Sequence, residues 1–217
     1  MREQIIQKIK EEKLIAIVRG IKPELCLQVA QALYDGGVRL MEITYNQKDP
    51  SGWPLTAEAI HAVAERFDGR MLVGAGTVTT VELVEMTYNH KGRYIVSPDT
   101  DIEVIKRTRE LGMVSLPGAM TPSEIKAAYN AGADFVKVFP AGTLGAGYIK
   151  AVKAPLSHIP LLAVGGVSEK NAADFLAAGA DGLGIGGNLA KKDWIDAGRF
   201  DKLTEAAKAT IAAIKGE

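Results

Sequence analysis

Residues 132–141 read GADFVKVFPA, an apolar run with one lysine at its centre. Residues 134–139 have the length and the β-branched and aromatic content of a buried strand, bounded by Gly132 and Pro140. Side chains alternate along a strand, so Phe135, Lys137 and Phe139 share one face, and Val136 and Val138 the other. Neither face is polar. Lys137 is therefore expected on a desolvated strand, where burial disfavours the ammonium and lowers the pKa. An amine in that state is a nucleophile able to form a Schiff base with a ketone. The alternative is a lysine snorkelling from an exposed strand end. The run alone leaves both readings open, and its surroundings have to choose.

Outward from this run the chain alternates between short apolar stretches and helical ones. The first dozen residues form an amphipathic helix with Ile5, Ile6 and Ile9 on one side. Strands are expected at 14–18, 38–44, 71–73, 94–96, 113–116, 134–139, 161–164 and 182–185. Helices are expected at 23–35, near 55–67, from Thr79 or Thr80, up to Leu111, and from Thr121, with further helices after the last two strands. Pro23 falls in the first turn of its helix, and Thr121-Pro122-Ser123-Glu124 sets cap, proline and acidic residue in order. A weak echo recurs between helix and strand: Asp35-Gly36-Gly37-Val38, Ala131-Gly132-Ala133-Asp134 and Ala178-Gly179-Ala180-Asp181. Glycine there fits a helix C-terminal cap with positive φ. Eight strands alternating with helices predict a (β/α)8 TIM barrel, one α/β domain over residues 1–217 with an extra N-terminal helix. An open doubly wound sheet would want fewer strands and a GxGxxG after the first, which is missing.

Composition narrows the function. Among 217 residues, Lys plus Arg and Asp plus Glu are 26 each, and no basic block stands out. Nucleic acid and membrane surfaces are therefore not expected partners. One cysteine, Cys26, excludes an internal disulfide, and the charged N-terminus lacks a signal-peptide core. A cytoplasmic protein is expected. Cys26, between Leu25 and Leu27, reads as core. His61, His90 and His158 have no metal-ligand spacing, so no metal is expected. Trp53, in the long loop after the second strand, is either a lid or a contact between subunits.

In a barrel the C-terminal strand ends carry the active site. The polar groups there are Arg19, Glu42, Thr44, Asn46, Thr77, Ser97 and Lys137, with Gly165-Gly166 and Gly186-Gly187-Asn188 after the last two strands. Glu42 lies inside the apolar stretch MEIT. A buried carboxylate is paired or has a raised pKa. Either it moves protons for Lys137, or it only neutralises Arg19 or Lys137. The glycine turns offer backbone N–H groups at helix N-termini, a phosphate site that this fold places after strands seven and eight.

These motifs, in order, resemble the 2-keto-3-deoxy-6-phosphogluconate (KDPG) / 4-hydroxy-2-oxoglutarate aldolase family, including its 2-keto-3-deoxy-6-phosphogalactonate (KDPGal) branch. The stretches are LIAIVRG, GGVRLMEIT, VGAGTV, YIVSPDTD, LPGAMTPSE, FVKVFPA, YIKAVKAP, AVGGV and GIGGNL, across nearly the whole chain. The resemblance implies a class I, metal-independent aldolase with no cofactor. Its substrate would be a phosphorylated keto-deoxy sugar acid, cleaved to pyruvate and glyceraldehyde 3-phosphate as in Entner–Doudoroff metabolism, with 4-hydroxy-2-oxoglutarate as a further candidate. By the same match Lys137 is the Schiff-base lysine and Glu42 the general acid/base. Thr77 lies near the pyruvate carboxylate, Pro98 and Phe139 are pocket walls, and Arg19 is near the same pocket. Gly165, Gly166, Gly186 and Gly187 match the phosphate loops, and a homotrimer is implied. Three positions depart from the gluconate pattern: Asn46 replaces an arginine, Val164 a threonine and Asn188 a serine. The galactonate branch resembles the chain at the first two. The alternative function is a sugar-phosphate isomerase or binding protein that uses the same barrel without covalent chemistry.

Overall fold

A computed structural model describes residues 1–216; Glu217, the last residue of the expected domain, lies outside them. Helix α1 (Arg2–Glu12) leads into β1 (Leu14–Val18). Then come α2 (Cys26–Asp35), β2 (Leu40–Thr44), α3 (Trp53–Arg66), β3 (Leu72–Gly76), α4 (Val81–Asn89), β4 (Tyr94–Val96) and α5 (Ile102–Glu110). The second half runs β5 (Val114–Leu116), β6 (Gly118–Ala119), α6 (Pro122–Asn130), β7 (Val136–Val138), α7 (Ala141–Leu144), α8 (Ala146–Lys153) and β8 (Leu161–Val164). It ends with α9 (Ala172–Ala177), β9 (Gly182–Ile185), α10 (Lys192–Asp196) and α11 (Phe200–Lys215).

All strand pairs are parallel, in the order β5-β4-β3-β2-β1-β9-β8-β7-β6. The two ends of that order, β5 and β6, are separated in the chain by Pro117 alone. Proline has no N–H to give the ladder, so pairing stops at the end of the expected fifth strand and resumes just past it as β6, and the sheet closes on itself as a TIM-like barrel. The eight expected strands are all present.

The boundaries moved for physical reasons. Strand β2 starts at Leu40 because the Val38 N–H turns back to the Leu33 carbonyl and ends α2. Strand β3 runs on through Gly74-Ala75-Gly76, three residues past the expected 71–73. Residues 23–25 form a 3-10 turn before α2. Strand β7 is shorter than 134–139, since the Asp134 carboxylate accepts the Ser115 N–H and pairs with Arg109 and Arg2. Trp53 opens α3; its indole donates to the Asn46 carbonyl at 3.0 Å and its ring meets Tyr45 edge-on. It pins its loop instead of standing free as a lid.

Local signals otherwise hold. Thr121 and Glu124 form a reciprocal capping box on α6, and Asp101 caps α5. The echoed Gly37, Gly132 and Gly179 all have φ near +100°. Side-chain alternation divides the core in two. Ile15, Ile17, Leu40, Val96, Val114, Leu116, Phe135, Leu162 and Val164 fill the barrel, and Ile5 and Ile9 of α1 join them, closing its N-terminal end. Leu14, Ala16, Val18, Val136 and Val138 face outward to the helices. Among the described residues no helix is long and apolar enough to cross a membrane.

Candidate active site

Glu42 is the third residue of β2 and Lys137 the middle residue of β7, and both point into the barrel. They are 2% and 6% exposed. With Val164, Gly184, Val96, Leu116, Leu162 and Ile15 they line a cavity of about 10 Å³, roughly the room of one water. Strand geometry makes the space for them. A Cβ at Gly76 would overlap the Glu42 carboxyl, and a Cβ at Gly74 would overlap the Tyr94 ring. These two glycines let β3 pass while β2 and β4 send large side chains across it. Tyr94, fully buried, donates its hydroxyl to the Met41 carbonyl at 2.6 Å and forms part of the floor under Glu42.

No hydrogen bond or ion pair within the described residues satisfies the Glu42 carboxyl. Burial pushes its pKa up to about 7, with the positive charges of Lys137 and Arg19 opposing the rise. Burial lowers the Lys137 pKa; Glu42 and Asp99 oppose this, and Arg19 adds to it. The Phe139 ring lies 5.0 Å from the Lys137 ammonium and is 41% exposed, between the buried pair and solvent. An unpaired buried carboxyl beside a desolvated amine is the kind of perturbed pair that marks a reactive site.

The remaining candidates surround the C-terminal strand ends. Arg19, Asn46 and Thr77 line a cleft of about 620 Å³ at the ends of β1, β2 and β3. The Asn46 side chain is engaged in its own loop, its Oδ1 accepting the Lys48 N–H at 3.1 Å. Thr77 is half-buried and has φ +58°, rare for a β-branched residue. Pro98 is exposed on the loop after β4, its carbonyl packed on Gly118. Asp99 follows it, its carboxyl pKa raised by burial, and its charge reaches Lys137.

Gly165 and Gly166 have φ +86° and +77°, and a Cβ on Gly165 would press on the Phe139 ring at 2.9 Å. Asn188 ties the two glycine turns together, its Nδ2 donating to the Val167 carbonyl at 3.0 Å. The N–H groups of Gly166, Val167, Gly187 and Asn188 have no partner among the described residues. Helices α9 and α10 start several residues later, at Ala172 and Lys192, so the turns, not helix termini, present these amides. Val164 projects into the Lys137 cavity rather than toward the glycine turns.

Cys26 is buried and its thiol is pushed up to about 12, chiefly by burial, which suits a core residue. Among the described residues no group of three or more His, Cys, Asp or Glu side chains is placed to hold a metal ion. Sequence reasoning missed Gly76, Tyr94, Asp99 and the Thr77 backbone. Glycines inside a strand signal close approach, so Gly74 and Gly76 had a readable sign; the other three depend on contacts between strands.

A family model for KDPG and KHG aldolases matches residues 5–206. The chain is 40% identical over 204 residues to a probable 2-dehydro-3-deoxy-6-phosphogalactonate aldolase of Rhizobium meliloti, covering 94% of this chain and 92% of that one. It is 39% identical over 177 residues to the 2-dehydro-3-deoxy-6-phosphogalactonate aldolase of Escherichia coli, covering 81% and 83%. A solved native KDPGal structure superposes with a TM-score of 0.85 at 35% identity, covering 94% of both chains. A barrel holding a buried lysine and glutamate is thus joined to an aldolase-type sequence over nearly its full length, and the chain belongs to the KDPG and KHG aldolase family.

Proposed function

We propose that Lys137 and Glu42 carry out a class I retro-aldol cleavage. The observation behind this reading is their shared burial, which lowers the pKa of the lysine and raises that of the carboxyl to about 7. The Lys137 amine attacks C2 of a 2-keto-3-deoxy-6-phospho sugar acid. Glu42 protonates the carbinolamine hydroxyl, which leaves as water, giving a protonated imine and a carboxylate. That carboxylate takes the C4 hydroxyl proton, the C3–C4 bond breaks, and its electron pair flows into the protonated imine. Glyceraldehyde 3-phosphate leaves; the enamine is protonated at C3, and hydrolysis of the resulting imine releases pyruvate and the free amine.

The family resemblance and the position of these residues around the strand ends support the other roles. Thr77 and Arg19 hold the carboxylate end, Pro98 and Phe139 form walls, and Val164 packs beside the reacting carbons. The free amides around Gly165, Gly166, Gly186, Gly187 and Asn188 take the phosphate. The chain works as one unit over residues 1–217, in the cytoplasm and as a homotrimer, in Entner–Doudoroff-type sugar-acid breakdown, without cofactor.

Substrate choice turns on Val164. A threonine there could hydrogen-bond a sugar hydroxyl, and valine cannot. A site without that polar partner discriminates weakly between epimers. The galactonate names of the relatives near 40% identity support cleavage of KDPGal at least as fast as KDPG. The test is kcat/KM for KDPG, KDPGal and 4-hydroxy-2-oxoglutarate, side by side, on wild type, Val164→Thr and Lys137→Arg. Val164→Thr should move preference toward KDPG by about 1–3 kcal/mol. Lys137→Arg keeps the charge without the nucleophile and should be inactive on all three. Activity surviving in Lys137→Arg would favour non-covalent chemistry.

A further inference from the structure

Thr77 is the first residue past β3, and its φ of +58° lies in the left-handed region where a β-branched side chain is strained. Strain of this kind persists only where surrounding contacts over-determine it. Here one side chain supplies two of them. Gln47, in the loop after β2, donates from Nε2 to the Thr77 carbonyl at 2.7 Å. Its Oε1 accepts the Thr79 hydroxyl at 3.2 Å. The amide thus straddles the strained residue. Just before Thr77, the β2–β3 ladder extends to a bond from the Tyr45 N–H to the Gly76 carbonyl at 2.9 Å. The loop that carries Gln47 is itself anchored by the Asn46 and Trp53 bonds described above. Gln47 and Thr77 line the same cleft as Arg19.

We propose that Gln47 is a positioning residue, whose amide holds Thr77 in the left-handed conformation that turns its hydroxyl to the keto-acid carboxylate. The proposal rests on the reading of Thr77 given above. Gln47 acts through Thr77 and has no step in the chemistry. A carboxylate is held alike before and during bond breaking, so losing the clamp should raise KM and leave kcat nearly intact.

Gln47→Met keeps the side-chain length and removes both bonds. The probe is pyruvate, with the borohydride-reduced Lys137 adduct counted by mass spectrometry, beside steady-state kinetics on KDPGal. The half-saturating pyruvate concentration and the KM should each rise about tenfold, with kcat within about threefold of wild type. Unchanged saturation in Gln47→Met beside raised saturation in Thr77→Val would overturn the proposal and leave the Thr77 reading standing. Unchanged saturation in both would remove the Thr77 reading and this proposal with it. A second arm uses Thr77→Gly, because glycine adopts φ +58° without strain. Gln47→Met should lower Tm less in the Thr77→Gly background than in wild type, and equal losses would show that the amide does not hold this backbone.

Discussion

Glu42 and Asp134 are both acidic side chains shut away from water, and their neighbours differ. The Asp134 side chain, 3% exposed, accepts the Ser115 N–H at 2.9 Å and pairs with Arg109 at 3.0 Å and with Arg2. Glu42, 2% exposed, has no donor bound to it among the described residues, and burial takes it to about 7. A paired buried charge is costly to unpair and locks structure in place. An unpaired one sits near neutrality, where it can both give and take a proton. Pairing, not burial, separates the structural carboxylate from the one suited to chemistry.

The largest effect is expected at Glu42. Glu42→Gln keeps the shape and should slow turnover by about 10²–10⁴-fold, the usual worth of a placed general acid/base. Near-native turnover would assign the proton to another group. The same variant also changes how stability depends on pH. The folded carboxyl keeps its proton to about pH 7, whereas an unperturbed one releases it near 4.5. The folded state therefore binds more protons between those values, and wild-type stability falls as pH rises through that window. Glu42→Gln lacks this loss. Its advantage over wild type should be small near pH 4.5 and grow to at most about 3 kcal/mol above pH 7. Denaturant unfolding at pH 5 and pH 8 reads it, and equal differences at the two pH values would mean that Glu42 titrates as an ordinary carboxyl.

Gly76→Ala tests the seat instead of the group. The new methyl displaces the Glu42 carboxyl, and kcat should fall about 10²-fold, the scale of an ångström-size misplacement. Unchanged kcat in a folded variant would mean that the carboxyl's position is not critical. At the other carboxylate, Asp134→Ala should cost about 2 kcal/mol of stability. Its kcat should stay within a few-fold of wild type, and a loss like that of Glu42→Gln would erase the distinction between the two sites.

Much of this was legible in the sequence because it rests on local pattern. The eight strand–helix alternations, the α6 capping box and a lone lysine and glutamate inside apolar runs all show in short windows. What stayed hidden depends on neighbours distant in the chain. Strand β3 continues through glycines because Glu42 and Tyr94 need its space. Thr77 takes its unusual backbone where Gln47, thirty residues earlier, can hold it. Val164 could be placed at a strand end, but its orientation into the Lys137 cavity came from the barrel.

Burial in the barrel lowers the Lys137 pKa, so its amine is free at a pH where an ordinary lysine is protonated. The initial rate of pyruvate-dependent borohydride trapping across pH, with peptide mapping of the adduct, reads this amine. The label should fall on Lys137, with a midpoint below the ordinary lysine value of 10.5. A label on another residue, or a midpoint at the ordinary value, would contradict this.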